Sequence, residues 1–566
     1  MKRLLIILAL LAIVALPFAL RPKRAAARQA DDTVVIITPH NEAIRYEYGR
    51  GFERWYFART GRTVAVDWRV IGGTTEIARF LEGEYVAAFE RHWTRQLGRE
   101  WGADVQAAFQ DGQLPPNASP REKEARAEFL RSDLGCGIDV FFGGGTYDFV
   151  RQAKAGRLVD GGLLALHPEW FGESAVPRHF GGEEYWDANG LWFGTVLSSY
   201  GMIFNRDGLA RLGLARPPAH WRDLADPRLR GEVALADPTK SGSVAKAFEN
   251  IIQQQMQERL GEAGARPDAA AEARAVREGW LAGLRLIQLA GANARYFTDT
   301  SQKPPIDVAA GNCAVGLCID FYGRQQEEAV RRRGDKRPGG VSPTSGLESE
   351  PLTGRAAWDR VGYVSPSGGS VFSVDPIGLL RGAPHREVAI AFMEYALSLE
   401  GQKLWNFQPG TPGGPERFAL RRLPVRRDFY TRDEWKAWRS DPDDSPYAQP
   451  DPLVYRAQRT GEIFREMAFV IRVMCQDTHA ELVRAWRAID AAPEPAKRAA
   501  QRILQDLSAV AYDRARGEIR VRLTAKDKAE EVRLAKELGD FFRANYARAA
   551  ALAGGDGSAA IPSSDQ

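Results

Sequence analysis

Short apolar runs, each followed by a turn and a segment of helical periodicity, recur along the first part of the chain. The run at 34–37 is continuously apolar, as expected of a strand buried on both faces of a parallel sheet. The apolar runs at 64–70 and 138–142 begin further units of the same kind. A charged, mostly helical stretch at about 83–131 separates them as an insertion. This alternation predicts an α/β lobe built on a doubly wound sheet.

A second α/β lobe is predicted where the run at 192–205 leads into a new series of strands and helices. Core strands are expected at 232–236 and 314–321, and strand-like runs follow at 360–380. The predicted domains are a first lobe at 31–198 and 356–429, a second lobe at 199–355, a helical extension at 430–553 and a disordered tail at 554–566.

The predicted extension carries two apolar seams at helical spacing. Ile463, Met467, Val470 and Met474 step by four, three and four residues, and the segment 503–510 repeats that rhythm. We expect these seams to pack the extension onto the first lobe. A partner-docking surface is the alternative.

The first thirty residues, 1–30, have the pattern of an export signal. Lys2 and Arg3 precede an apolar run at 4–20, and small residues follow at 25–30. Because the apolar run is long for a cleaved signal, an uncleaved N-terminal anchor is the alternative. No cysteine follows the run, which disfavours a lipoprotein anchor. In either case the body of the chain is expected in the periplasm.

The charge of the body gives no reason to expect a nucleic-acid partner. The formal net charge is +4, but the first thirty residues hold six basic residues and no acidic one. The remainder has 71 basic against 73 acidic residues and carries about −2. A chain this close to neutral creates no general field for nucleic acid.

Motifs of catalysis and metal binding are missing from the sequence. The four cysteines are too few for a disulfide framework, and we expect them to be buried free thiols, with a disulfide as the alternative. No CxxC pair, HExxH motif or GxSxG elbow is present. The sequence therefore predicts a binding protein without a cofactor; an exported hydrolase or transferase is a rival hypothesis.

Five predicted turns lie at the carboxyl ends of strands, where open parallel sheets bind their ligands. They span 38–41, 72–75, 143–146, 237–243 and 320–323, and four carry glycine or hydroxyl residues where a helix would begin. Free N–H groups at a helix start favour an anion. Taken singly, each is more often only a tight turn capped by serine or threonine. The candidate ligand contacts are Thr38, His40, Gly73, Thr74, Gly144, Thr146, Ser199, Thr239, Ser241, Gly242, Ser243, Asp320 and Tyr322.

The turn at 237–243 is the most specific of the five. It offers three hydroxyls, the Lys240 ammonium and free backbone N–H groups. That set suits phosphate, phosphonate, carboxylate or a metal–anion complex. It is not a Walker A loop, because GxxxxGK[ST] is absent. A solvated surface lysine is the alternative interpretation of Lys240.

Several runs resemble one known family. The run ALADPTKSGSVAKAFE at 234–249 and the run DPIGLLRGAPHREVAIAFMEYALSLEGQKLWNF at 375–407 closely resemble ferric-type extracellular solute-binding proteins of ABC importers. The run VVIITPHNEAIRYEYGRGFERWY at 34–56 resembles their first strand–helix unit. The resemblance covers about 33–429. It implies a type II periplasmic-binding fold, with two α/β lobes joined by hinge strands and the ligand in the cleft, and docking to a membrane permease and its ATPase.

The resemblance also bears on the ligand. Iron binders of this family place two adjacent tyrosines near the end of the second lobe, where this chain has Phe321 and Tyr322. Tyr322, Asp320 and His40 form the remaining candidate set for ferric iron. We therefore expect a small anionic solute, phosphorylated or phosphonate-like, with ferric iron as the alternative. We expect a monomeric component of an importer, and a membrane-tethered ligand sensor is the rival hypothesis.

Overall fold

The computed structural model describes residues 30–264, 268–335, 359–448, 453–525 and 527–554. The predicted signal, the predicted boundary at 355/356 and nearly all of the predicted tail lie outside these residues. The strands are β1 Asp32–Ile37, β2 Val64–Arg69, β3 Val140–Phe142, β4 Leu158–Val159, β5 His179–Phe180, β6 Glu183–Glu184, β7 Phe193–Ser198, β8 Tyr200–Asn205, β9 Val233–Ala236, β10 Ala294–Thr298, β11 Val315–Ile319, β12 Val361–Val364, β13 Ser373–Leu380 and β14 Leu423–Pro424.

Helices follow most of these strands, as the apolar periodicity predicts. The α-helices are Glu42–Thr60, Thr74–Arg91, Ala103–Ala108, Pro120–Arg131, Thr146–Ala155, Leu163–Leu166, Arg206–Arg211, Gly242–Glu262, Ala269–Ala292, Lys303–Ala310, Asp320–Asp335, Arg386–Leu397, Leu399–Asn406, Arg427–Tyr430, Ala457–Thr460, Phe464–Ile471, His479–Ala491, Ala496–Leu504, Tyr512–Arg514, Arg520–Thr524 and Lys528–Ala553. Among the described residues, no helix has the length and apolarity needed to cross a membrane.

Lobe 1 is built on a sheet of order β14-β7-β13-β3-β1-β2, with β4 beside β13. Strands β2, β1 and β3 run parallel, and β13 runs antiparallel to both β3 and β7. The predicted insertion is helical and packs on this lobe: the rings of Phe89 and Phe109 lie 4.5 Å apart, and those of Phe109 and Phe129 lie 5.1 Å apart. The charged stretch therefore extends the lobe 1 core.

Lobe 2 is built on a sheet of order β10-β9-β11-β8-β12. Strands β10, β9 and β11 are parallel, whereas β8 is antiparallel to its neighbours β11 and β12. Strand β12 differs from the predicted division, which assigned 356–429 to lobe 1. Its residues pair with β8, Val364 opposite Met202, so the chain returns to lobe 1 only after β12.

Two crossings connect the lobes, and hydroxyl groups join them to each other. The first is at Ser199, between β7 and β8, and the second lies between β12 and β13. The hydroxyls of Ser199 and Ser365 lie 2.9 Å apart, and the Tyr200 amide donates to the Ser370 hydroxyl at 2.8 Å. This arrangement of two α/β lobes with crossing strands confirms the predicted fold class.

The extension packs mainly on lobe 2, which corrects the expectation that its seams cover lobe 1. Trp280 of the lobe 2 helix Ala269–Ala292 donates to the Val510 carbonyl at 2.9 Å, and Gln288 donates to the Leu504 carbonyl at 2.9 Å. The first part of the extension packs on lobe 1, where Trp435 packs on Phe407, and further contacts to lobe 1 come from Tyr455 and Phe464. The seams are buried as predicted, but periodicity does not encode which surface buries them.

All four cysteines are free thiols, and three of them are buried. Cys313, Cys318 and Cys475 therefore match the prediction of buried free thiols, whereas Cys136 is half-buried.

Candidate functional site

A large cleft of about 1640 Å³ lies between the two lobes and against the extension. Lobe 1 contributes the turns after β1, β2 and β3, and lobe 2 contributes the turns after β9, β10 and β11. The extension contributes the segment around Tyr455 and Phe464. The cleft therefore has three walls, of which the sequence predicted two.

In the part of the chain that the structure describes, six α-helices of the two lobes begin at this cleft, three from each lobe. They are Glu42–Thr60, Thr74–Arg91, Thr146–Ala155, Gly242–Glu262, Lys303–Ala310 and Asp320–Asp335. The caps Gly73 and Gly145 place no side-chain acceptor on the first-turn amides of their helices, so the amides of Thr74 and Thr146 are available to a ligand. The helix Lys303–Ala310 contributes only its dipole, because Pro304 and Pro305 have no amide hydrogen and the Lys303 amide donates to the Thr300 carbonyl at 3.4 Å.

Glycines allow the turns to approach one another closely. Gly143 and Gly144 have φ values of +92° and +123°, and a Cβ atom at these positions would collide with the His40 ring and the Thr74 methyl group. Across the cleft, a Cβ on Gly242 would lie 3.3 Å from the Thr74 hydroxyl. The lobe 1 and lobe 2 turns are thus in near contact, as in a closed cleft.

A buried group of charged side chains lies at the base of the cleft. Arg422 is wholly buried and donates to the Ser198 hydroxyl at 2.5 Å, and its guanidinium lies 2.7 Å from the Asp375 carboxylate. His40 Nε2 lies 3.5 Å from the same carboxylate. Burial lowers the pKa of His40. Although burial alone would raise the pKa of Asp375, the Arg422 charge and the His40 contact bring it below its ordinary value.

Asp148 is a second titratable group in the cleft. Its side chain is 8% exposed, and burial raises its pKa to about 6. The Thr74 hydroxyl and the Arg151 charge oppose this rise. The carboxyl group is therefore neutral in mildly acidic solution and charged above that range.

Nine of the thirteen sequence-predicted contacts line the cleft. They are His40, Gly73, Thr74, Gly144, Thr146, Ser241, Gly242, Ser243 and Tyr322. The Ser241 hydroxyl accepts from the Val244 amide at 3.4 Å and lies 3.2 Å from the Ser243 hydroxyl. Burial raises the pKa of Tyr322 to about 12, so its phenol stays protonated.

The other four predicted contacts are not brought to the cleft lining. Thr38 accepts from the His40 amide at 3.1 Å, and the Thr239 hydroxyl donates to Asp237 at 2.6 Å. Asp320 accepts from the amide and hydroxyl of Ser199 at 3.1 and 3.3 Å. Ser199 and Asp320 therefore hold the first crossing, and Thr38 and Thr239 shape their turns.

The candidate iron set is not assembled. His40 and Tyr322 line the cleft, but the Asp320 carboxylate is directed to the Ser199 crossing. In the part of the chain that the structure describes, no group of three or more histidine, cysteine, aspartate or glutamate side chains is arranged to hold a metal ion.

Sequence reasoning missed an ion cluster beside the cleft, formed by Glu183, Lys246, Glu249 and Tyr455. The Lys246 ammonium lies 2.6 Å from the Glu183 carboxylate, 2.9 Å from that of Glu249 and 3.5 Å from the centre of the Tyr455 ring. The cluster joins lobe 1, lobe 2 and the extension. Only the i, i+3 spacing of Lys246 and Glu249 was visible in the sequence.

Comparison with known proteins identifies the family of this chain. The family model described as "Bacterial extracellular solute-binding protein" matches residues 138–426, about half of the chain. The chain therefore belongs to this family of solute-binding proteins.

Two curated relatives match this chain at low sequence identity. An uncharacterized protein of Haemophilus influenzae is 26% identical over 267 residues, covering 47% of this chain and 60% of the relative. The phosphoglycerate transport regulatory protein PgtC of Salmonella typhimurium is 23% identical over 331 residues, covering 57% of this chain and 63% of the relative. The chain thus spans about three fifths of the length of these relatives.

Solved structures of similar architecture include the periplasmic binding protein AfuA of Actinobacillus pleuropneumoniae with exogenous fructose-6-phosphate bound. It is 14% identical, with a TM-score of 0.41, and the match covers 81% of this chain and 98% of AfuA. The apo ferric ion-binding protein A of Pasteurella haemolytica is 11% identical, with a TM-score of 0.45 and coverage of 78% and 98%.

Proposed function

We propose that this protein is the periplasmic solute-binding component of an ABC importer and captures a small anionic solute in its interlobe cleft. The observation that carries this proposal is the convergence of six helix N-termini from both lobes, two of which, after Gly73 and Gly145, have first-turn amides without a side-chain acceptor. The hydroxyls of Thr74, Ser241 and Ser243 add donors at the same turns. A phosphorylated or phosphonate-like solute suits this donor set.

The remaining parts of the proposal concern partners and chemistry. The closed form would deliver its solute to a permease and ATPase in the inner membrane, acting as a monomer, without a cofactor and without a nucleic-acid partner. We expect binding without turnover, as is usual for solute-binding proteins. The name of the Salmonella relative, which refers to phosphoglycerate transport, is consistent with a phosphorylated solute.

The test is a thermal-shift and equilibrium-dialysis screen of the purified protein. The probes are glycerol 3-phosphate, 3-phosphoglycerate, an alkylphosphonate, ferric citrate and spermidine. A ligand at one hundred times its Kd stabilises the folded state by about 2.7 kcal/mol, so an anion that binds should raise the Tm. A shift with ferric citrate or spermidine and none with a phosphate or phosphonate would contradict the anion assignment.

A cell experiment distinguishes a role in delivery to a permease from a role in ligand sensing. Deleting the gene should abolish uptake of the radiolabelled solute if the protein serves an importer. Normal uptake with a lost transcriptional response would instead identify a tethered sensor. Phosphorus NMR of the bound solute checks for turnover, because an enzyme would release inorganic phosphate.

A further inference from the structure

The extension is bonded to both lobes at the buried ion cluster. The Tyr455 amide donates to the Gly181 carbonyl of lobe 1 at 2.8 Å, and the Tyr455 hydroxyl donates to Glu249 of lobe 2 at 3.0 Å. The Lys246 ammonium lies 2.6 Å from the Glu183 carboxylate, so the two lobes are also paired directly. Glu183 and Glu249 are only 3% and 0% exposed. Because water is largely excluded here, these polar contacts are stronger than surface contacts.

A second set of contacts lies earlier in the extension, at Asp441 and Asp444. The buried Asp441 carboxylate accepts from Arg421 Nε of lobe 1 at 3.3 Å. The Arg324 guanidinium of lobe 2 lies 3.8 Å from the same carboxylate and 2.7 Å from that of Asp444. Arg421 also donates to the Arg324 carbonyl at 2.9 Å. This acidic segment of the extension therefore holds one cation from each lobe.

A further contact joins the extension to the lobe 1 helix Thr146–Ala155. The rings of Tyr147 and Phe464 lie 4.9 Å apart, and both residues line the cleft. Phe464 begins the helix Phe464–Ile471, which packs on the lobe 2 helix Gly242–Glu262. An opening of the cleft on this side would separate the two rings.

We propose that the extension is a strap that fixes the angle between the lobes and prevents the cleft from opening by rotation about the crossing strands. Lobes joined only by such strands move relative to each other unless a substantial interface holds them. The extension supplies that interface, because it packs on lobe 2 and is bonded to lobe 1 at the contacts above. A solute then enters and leaves a cleft whose walls keep their spacing. This inference goes beyond the proposed function and holds whatever the solute is.

Pulsed electron paramagnetic resonance between two spin labels on the full chain tests the strap. The labels are attached at Arg79→Cys in lobe 1 and Ile306→Cys in lobe 2, two exposed positions on helices that begin at the cleft. Cys136→Ser removes the half-buried native thiol, and the other three thiols are buried. We expect a single narrow distance distribution for the protein with an intact strap. A broad or two-peaked distribution would overturn the proposal.

A triple variant then releases the strap from lobe 1. It changes one lobe 1 side chain at each of the contacts: Tyr147→Ala, Glu183→Gln and Arg421→Gln. The buried charges keep a partner, because Lys246 still pairs with Glu249 and Asp441 with Arg324. We expect a second population whose mean label distance is longer by more than about 2 Å. An unchanged distribution in the folded triple variant would overturn the strap.

Arg230→Gln is the matched control, because Arg230 of lobe 2 pairs with Asp490 of the extension at 2.6 Å, a contact between the extension and lobe 2 alone. It should leave the distance distribution unchanged. Circular dichroism checks that each variant is folded. The double variant Tyr147→Ala with Arg421→Gln leaves the ion cluster intact and repeats the test with a smaller perturbation. Its distribution should broaden toward longer distances, and an unchanged one would count against the strap.

Discussion

At the scale of single residues, Ser241 tests the anion site most directly. Its hydroxyl caps the helix Gly242–Glu262, and aspartate is an equally good N-cap. We expect Ser241→Asp to fold normally, with a Tm close to that of the wild type. A carboxylate at this position should weaken an anionic ligand at least ~10-fold through repulsion, as measured by calorimetry with glycerol 3-phosphate.

Ser241→Asn is the matched control, because asparagine has the shape of aspartate without its charge and also caps helices. It should keep most of the affinity. Normal affinity in Ser241→Asp would remove this turn from the site.

Asp148 predicts a pH-dependent stability. Its pKa is raised by burial to about 6, so the folded protein binds a proton that the unfolded chain, with a pKa near 3.8, releases. The contribution of the protonated group is fully present below pH 3.8 and is lost as pH rises through about 6. Asp148→Asn should therefore raise the free energy of unfolding at pH 7.5 by about 1–3 kcal/mol, with little effect at pH 4.

Urea unfolding at the two pH values measures this difference. Asp111→Asn, a change at a carboxylate outside the cleft lining, serves as the control and should not raise the free energy of unfolding at pH 7.5. An Asp148→Asn variant that is less stable than the wild type at pH 7.5 would contradict the prediction.

The residues predicted from local chemistry are largely placed at the cleft, and their contact with a ligand stays a prediction. Glycine and hydroxyl residues at βα turns are recognisable because the turn itself requires them, and nine predicted contacts line the cleft. Ser199 and Asp320 could not be separated from ligand contacts, since their hydrogen bond joins residues 121 positions apart. The pairing of Arg422 with Asp375 was missed for the same reason, because nothing in the sequence shows that these two distant positions lie together.

At the scale of elements, the buried ion cluster predicts a large loss on neutralisation. Although burial alone lowers the pKa of Lys246, the charges of Glu183 and Glu249 raise it above its ordinary value, so the ammonium stays charged. Lys246→Met would leave two buried carboxylates without a cation. We expect a loss of about 3–5 kcal/mol in the free energy of unfolding at pH 7.5, measured in urea.

Lys240→Met is the control. Lys240 lies in the turn just before the helix that carries Lys246, is exposed, and pairs with the exposed Asp299. It should cost less than about 1 kcal/mol. The loss in Lys246→Met should shrink as the pH falls, because burial raises the pKa of Glu183 and its protonation removes one of the two unpaired charges. Equal losses in the two variants would mean that the cluster is not stabilised by its cation.

The order of elements was readable because apolar periodicity is a local property. A run such as 34–37 is buried on both faces and appears as β1, and the apolar seams of the extension appear as buried helix faces. Which strand or surface each element packs against could not be predicted from the sequence in the same way. Strand β12 joins lobe 2 because its backbone pairs with β8, and nothing in its composition distinguishes that edge from the edge of lobe 1.

At the scale of the whole molecule, the extension and lobe 2 share one core. The Trp486 indole donates to Asn293 of lobe 2 at 2.9 Å, and Tyr546 accepts from Gln288 at 3.0 Å. Two-lobed architecture was predictable from repeated strand–helix units, but a third wall on the cleft was not. The extension has its own periodicity, and only the folded structure shows that its Tyr455 and Arg456 reach both lobes.

This shared core predicts that lobe 2 and the extension unfold together. Trp280 is fully buried, lies on the lobe 2 helix Ala269–Ala292 and donates to the Val510 carbonyl of the extension at 2.9 Å. Trp280→Ala should lower the free energy of unfolding by about 3–5 kcal/mol, because it leaves a large cavity and an unpaired carbonyl. Native-state hydrogen exchange should then speed up in Gly242–Glu262 and in Lys528–Ala553 by similar factors. Phe89→Ala, which opens a cavity in the insertion of lobe 1, should instead speed exchange in Thr74–Arg91 first. Faster exchange confined to one side of the Trp280 contact would show that lobe 2 and the extension are separate cooperative units.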